Sequence, residues 1–110
     1  MRCGSVFKPG EVVLSYFPFV GSAEIKVRPA VVLFEQFGNI VVAGITSNPK
    51  MKGIPLTQKE GLPVDSVIKT NYIFTIGESS ITKRLMHLSP SKRGILYTAL
   101  SSHLRPLQEK

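Results

Sequence analysis

The stretch "EIKVRPAVVLFEQFGNIVVAGITSN", Glu24 to Asn48, decides the fold. It holds two runs rich in β-branched and aliphatic residues, "RPAVVLF" from Arg28 and "NIVVAGITS" from Asn39. Between them Glu35 to Gly38 form a short glycine-containing connection that suits a hairpin with a bulge or a four-residue loop. Both runs read as strands. Their near-continuous apolar character calls for burial on both faces, as in a small closed barrel or a tightly packed sheet. Pro29 cannot donate to a ladder and belongs at a strand start. Each run places one polar residue, Arg28 or Thr46, where its neighbours predict an apolar one.

Outward from this hairpin the chain continues to read as β-structure. "EVVLSYFPF", Glu11 to Phe19, follows a Pro9–Gly10 turn and is broken at Pro18, which makes it the first strand. Val20 to Val27 has small and charged residues without a period and reads as a surface loop. After Asn48 come the basic loop "PKMKG", a short Ile54–Thr57 element and the loop "QKEGLPVD". Ser66 to Ile76 is the longest strand candidate. Near the end, Ser89 stands at a cap position and Pro90 at the first helical position. Ile95, Leu96, Ala99, Leu100 and Leu104 supply an apolar face, and Pro106 stops the helix near His103 or Leu104. The expectation is a mainly β fold with one C-terminal helix.

Length and composition bound the rest. The 110 residues suit one domain, 1–110, with a single core. Fourteen Lys and Arg against seven Asp and Glu give a formal charge of +7, a balance that favours polyanionic partners. The positive residues are scattered rather than gathered in a run. Cys3 is the only cysteine, so no intrachain disulfide is expected, nor a cysteine-based metal site. The first residues are too poor in apolar character for a secretory signal, and no apolar run approaches the ~18 residues of a spanning helix. A soluble, cytoplasmic protein with no membrane partner is expected.

The chemistry is narrowed by absence. There is no glycine-rich phosphate loop, no G-x-S-x-G elbow and no H-E-x-x-H. His87 and His103 match no ligand spacing and read as structural residues; no metal and no cofactor are expected. Arg28 stands apart, because a guanidinium stays charged and is not placed in a buried strand without a partner. It can grip an oxyanion with two parallel hydrogen bonds, or form an ion pair with Glu11, Glu24 or Asp65. Thr46, with Ser47 and Asn48, groups uncharged hydrogen-bonding side chains at a strand end, where such residues also serve turns.

The order of these pieces resembles the MazF/PemK (Kid) family of toxins from toxin–antitoxin modules. "FKPGEVVLSYFPF" is similar to the family's opening strand, with Glu11 where Asp is common. "GSAEIKVRPAVVL" resembles its Gly-Ser loop leading to Arg-Pro-Ala, with Ala23 where Glu is frequent. "VVAGITSN" resembles the Ile-Thr-Ser strand end, "GLPVDSVI" the Gly-Leu-x-x-Asp-Ser segment and "LSPSKRGILYTAL" the capped final helix. The resemblance implies an SH3-like β-barrel of the PemK/CcdB type with a C-terminal helix. It further implies a homodimer that cuts single-stranded RNA without a metal, and neutralisation by a cognate antitoxin with an acidic, disordered tail. The family's active-site arginine and threonine fall on Arg28 and Thr46. Lys26, Ser47, Asn48, Lys69, Asn71, Tyr72 and the Lys83–Arg84 pair are the expected RNA contacts. The chain departs from the pattern at "NYIFT", Asn71 to Thr75, where many members read Glu-Gln-Ile-Arg-Thr. Tyr72 and Phe74 there keep open an alternative: a cleavage-deficient barrel that binds RNA or antitoxin, or a gyrase-directed poison.

Overall fold

The computed structural model describes residues 7–18 and 25–109. Six strands form one antiparallel sheet: β1 (Glu11–Pro18), β2 (Ile25–Gln36), β3 (Asn39–Thr46), β4 (Ile54–Leu56), β5 (Ser66–Gly77) and β6 (Ile81–His87). Their spatial order is β4-β5-β3-β2-β1-β6, and one helix, α1 (Pro90–Leu104), follows. The sheet curls into a half-barrel with α1 packed on it. Ring geometry displays the curl. β1 and β5 lie three places apart, about 14 Å in a flat sheet at the usual strand spacing. Yet the ring centroids of Phe17 and Phe74 are 5.1 Å apart.

The central hairpin is built as its sequence directs, with a tighter turn. Gln36 pairs with Asn39, and the two residues between them have positive φ, 54° at Phe37 and 81° at Gly38. This two-residue turn, with positive φ at both positions, matches the twist of the flanking strands. The expected four-residue connection is therefore shortened, and the bulge lies inside the strand instead, at Leu33, where the register with β3 shifts. β2 also begins earlier than expected. Lys26 and Val27, read from sequence as loop, pair with Phe17 and Tyr16 of β1. Backbone hydrogen bonding to β1 recruits residues whose own composition carries no strand signal. The expected loop residues from Val20 to Glu24, and Phe19, lie outside the described residues.

Burial on both faces follows from the apolar runs. One cluster collects Val12, Val31, Ala43, Ile45, Leu56, Leu62, Ile68, Leu88 and Leu96; the other holds Phe7, Val13, Ala30, Val32, Ile40 and Val42. Neighbouring residues of β2 and β3 thus alternate between two cores, which removes both faces from water.

Strand β6 has no counterpart in the sequence reading. "ITKRLMH" sets two cations side by side and lacks the β-branched density of a strand, and it forms an edge whose burial is slight. The helix keeps its expected start, the Ser89 Oγ accepting from the Lys92 backbone N–H at 3.1 Å. It ends at Leu104 and tightens into a 3-10 turn over Arg105–Gln108. Only part of its apolar face is covered. Leu96 is buried, while Ile95 and Leu104 are exposed, against the expectation for both. Between α1 and the sheet opens a cleft of about 630 Å3, lined largely by apolar side chains including Leu33, Val41, Ile73 and Leu100. No helix among the described residues is long and apolar enough to cross a membrane.

Candidate functional site

Strand alternation brings the singled-out residues together. On β2, Lys26 and Arg28 fall on the face that carries buried Ala30 and Val32. On β3, Gly44 and Thr46 continue the face of Val42. The β2–β3 ladder pairs Ala30 with Gly44, so Arg28 and Thr46 each stand two residues beyond that pair, on the same face of adjoining strands. The paired register itself ends at Ala30 and Gly44, so the two residues flank the point where the ladder stops. Arg28 is exposed and Thr46 half-buried. The sealed, apolar setting that a strand position predicts for Arg28 is absent, because the sheet's core ends at Ala30.

Two of the carboxylates that sequence offered to Arg28 accept hydrogen bonds from other groups. Glu11 accepts from Arg84 Nε at 2.8 Å and from the Lys8 backbone N–H at 2.7 Å. Asp65 accepts from the Gln58 backbone N–H at 2.9 Å. Glu24 lies outside the described residues. In the β1–β2 ladder the partner of Arg28 is Ser15, fully buried, whose hydroxyl is within 3.3 Å of the Tyr16 carbonyl and 3.2 Å of the Ser80 carbonyl. The floor beneath Arg28 is thus a satisfied polar group.

Thr46 is oriented by the turn that follows it. Its Oγ1 accepts from the Asn48 backbone N–H at 3.2 Å, and Asn48 Oδ1 accepts from the Lys50 backbone N–H at 2.9 Å. With one lone pair of Oγ1 so used, the hydroxyl proton is free to turn outward as a donor. Asn48 is in part a turn-former, as its residue type suggests, while Ser47 is exposed. The same turn carries exposed Lys50 and Lys52 past the strand end.

The third wall is a bulge in β5. Ala43 pairs with Ile73, but Ile45 pairs with Ile68, so the single β3 residue between these pairs, Gly44, faces four of β5 and three are extra. Lys69, Asn71 and Tyr72 all lie in this insertion. The insertion packs against Gly44: a Cβ there would meet both Tyr72 Cβ and the Phe74 ring at 3.4 Å, ordinary contact distance. Lys69 Nζ stands 5.3 Å from the Tyr72 ring centroid and donates to the Lys52 carbonyl at 2.8 Å. Tyr72 keeps 40% of its surface exposed, and Phe74 44% while touching Phe17. Lys26, Arg28, Thr46, Lys69 and Tyr72 therefore form a polar and cationic surface with an aromatic side, on one half of one face.

Lys83 and Arg84 do not act as a pair. Successive strand residues point to opposite faces, and the Arg84 guanidinium, besides its bond to Glu11, lies 4.3 Å over the Phe7 ring. Its role is to tie β6 to β1. Sequence reading also passed over two groups that bear on this surface, Phe17 and the hydroxyl of Thr70, which meets His103 Nε2 at 2.7 Å. Only the alternation of Phe17 with Ser15 and Val13 could have signalled the first; nothing local signals the second. No group of three His, Cys, Asp or Glu side chains is placed to hold a metal among the described residues.

Comparison with known proteins agrees with this fold. The structure is similar to a MazE–MazF complex from Deinococcus radiodurans, with a TM-score of 0.71 and 20% identity over 92% of this chain and 97% of that one. It is similar to the Mycobacterium tuberculosis toxin MazF-mt6, with a TM-score of 0.65 and 21% identity over 82% and 93%. It is also similar to a mycobacterial endoribonuclease in complex with its cognate antitoxin, with a TM-score of 0.64 and 15% identity over 87% and 92%. At such identities the likeness is one of fold. No curated protein matches the chain. A family model for the PemK-like, MazF-like toxins of type II toxin–antitoxin systems matches residues 8–104, and the chain belongs to that family.

Proposed function

We propose that the protein is a sequence-specific endoribonuclease toxin that cuts single-stranded RNA without a metal, by attack of a ribose 2′-hydroxyl on the adjacent phosphate. The observation that carries this is that exposed Arg28 shares one sheet face, just past the last β2–β3 pair, with a Thr46 hydroxyl whose oxygen is oriented by Asn48 N–H. As the 2′-oxygen bonds to phosphorus it loses its proton. The bond from phosphorus to the 5′-oxygen breaks, and that oxygen takes up a proton. The products are a 2′,3′-cyclic phosphate and a 5′-hydroxyl. Negative charge grows on the non-bridging oxygens during attack, and a fixed guanidinium with a hydroxyl donor stabilises it. Lys26, Lys69, Ser47 and Asn71 follow the strand's phosphates, and Tyr72 offers a ring on which a base stacks. A cytoplasmic homodimer, neutralised by an antitoxin with an acidic disordered tail, completes the reading; the net charge of +7 suits both polyanions.

One observation favours a second reading. Phe74, packed on Phe17, occupies the place of an arginine in many members, so the surface lacks a cation. A barrel that binds RNA or antitoxin without cutting has this feature too. Incubation of the protein and of Arg28→Ala with mixed single-stranded RNA in chelator separates them. Cleavage by the parent and its loss in the variant supports the ribonuclease. Salt-sensitive binding without cleavage selects the second reading, and cleavage unchanged in the variant refutes the assigned site.

A further inference from the structure

We propose that His103 is the positioning residue of the RNA shelf at Lys69–Tyr72, acting through Thr70 from the opposite face of the sheet. This rests on the ribonuclease reading, which makes Lys69 and Tyr72 contacts to RNA.

The shelf is a break in the paired register of β5. Residues 69–72 pair with neither neighbour: the β4 ladder ends at Ile68, and the β3 ladder resumes at Ile73. A strand interior is normally fixed by ladder bonds on both sides, and a bulge gives these up in order to re-aim its side chains. Side-chain ties are made on both sides of it. On the polar face Lys69 holds the Lys52 carbonyl, and Tyr72 leans over Gly44. On the other face, in the cleft beside α1, Thr70 Oγ1 and His103 Nε2 share a hydrogen bond of 2.7 Å across 33 residues of sequence. The register break lets two residues of one bulge serve opposite faces: Thr70 is anchored, and Tyr72 is presented.

His103 is well placed as an anchor because α1 is itself fixed. Its first turn is capped by Ser89, Lys92 Nζ reaches the Pro55 carbonyl of β4 and lies 3.4 Å from Glu60, and Leu96 and Leu100 pack into the core. His103 lies in the last turn, so its ring is referenced to the sheet through the whole helix. With the tie in place, Lys69 and Tyr72 meet RNA already ordered; without it their ordering is charged to the binding step. Arg28 and Thr46 lie on other strands, so the effect falls on affinity and not on the chemical step.

The test uses the full chain and a fluorescent single-stranded oligonucleotide of mixed sequence, 2′-O-methylated so that it binds without being cut. His103→Ala and Thr70→Val are each expected to raise Kd about fivefold, the worth of one hydrogen bond. The double variant is expected to do no more than either, since both remove one tie. His103→Gln, whose amide can meet the same hydroxyl, restores part of the affinity. In cleavage, KM rises with the rate at saturation within about twofold of the parent. Amide exchange at 69–72 in the free His103→Ala protein accelerates while the thermal midpoint falls by no more than about 4 °C, the loss of one exposed hydrogen bond. Variants that bind like a parent which itself binds and cuts, or effects that add in the double variant, overturn the proposal and leave the ribonuclease standing. A parent that neither binds nor cuts overturns both.

Discussion

Thr46→Val separates what the hydroxyl does for the fold from what it does for the reaction. Valine keeps the shape and the strand preference of threonine. In the fold the substitution removes one acceptor, which receives the Asn48 N–H at 3.2 Å. Asn48 is exposed, so that N–H turns to water and the loss is about 0.5–1 kcal/mol. For a chain of this length the unfolding entropy is on the order of 0.23 kcal/mol/K, so the thermal midpoint falls by about 2–4 °C. In the reaction the same hydroxyl is a donor to developing charge, worth ~3 kcal/mol, and its removal slows cleavage by about two to three orders of magnitude. Thr46→Ser keeps the donor and is expected within about tenfold of the parent. The assay is single-turnover cleavage of mixed single-stranded RNA at saturating protein, beside a thermal melt. A folded Thr46→Val that cleaves within about fivefold of the parent would refute the role given to the hydroxyl.

Other perturbations follow from the same geometry. A Cβ at Gly53 would lie 2.3 Å from the Ile68 carbonyl oxygen, and backbone cannot swing aside, so Gly53→Ala costs about 2–3 kcal/mol and lowers the melting midpoint by roughly 10 °C. Phe74→Arg adds a cation to the RNA surface while losing the Phe17 contact. Its affinity for single-stranded RNA should show a salt slope steeper by about 0.7, and an unchanged slope would place Phe74 off the RNA path. The Glu60 carboxyl is held below its ordinary 4.5, first by the Thr57 backbone N–H and then by Lys92. A lowered folded-state value stabilises the fold above the ordinary value, and that stability is lost as pH falls through the folded one. Glu60→Gln should remove this part of the acid-side decline in denaturant midpoint, and a decline identical to the parent's would show that Glu60 is not its source.

The hairpin from Arg28 to Ser47 was legible because its apolar density leaves strand burial as the sole outcome, and the cap at Ser89 because its hydrogen bond is local. Arg28 and Thr46 could be singled out for the same reason: each interrupts a run whose demand is plain. β6 was not legible, since an edge strand is selected by the ladder it joins and carries charges at Lys83 and Arg84 that composition assigns to solvent. The bulge of β5 was hidden as well. Its three extra residues pack beside Gly44, 25 or more positions earlier, and Thr70 is tied to His103 by a bond that no periodicity announces. At Arg84 the hidden part is the company it keeps: the Glu11 carboxylate and the Phe7 ring that hold the guanidinium are distant in sequence.

The account stands on Arg28 and Thr46 serving a 2′-hydroxyl attack, and the ends of the RNA fragments report on that directly. Mass analysis of fragments made by the parent protein should find 2′,3′-cyclic phosphate and 5′-hydroxyl ends, with cutting abolished at a site whose 2′-hydroxyl is replaced by hydrogen and lost in Arg28→Ala. Fragments with 5′-phosphate and 3′-hydroxyl ends, or cutting that persists at the 2′-deoxy site, would contradict it.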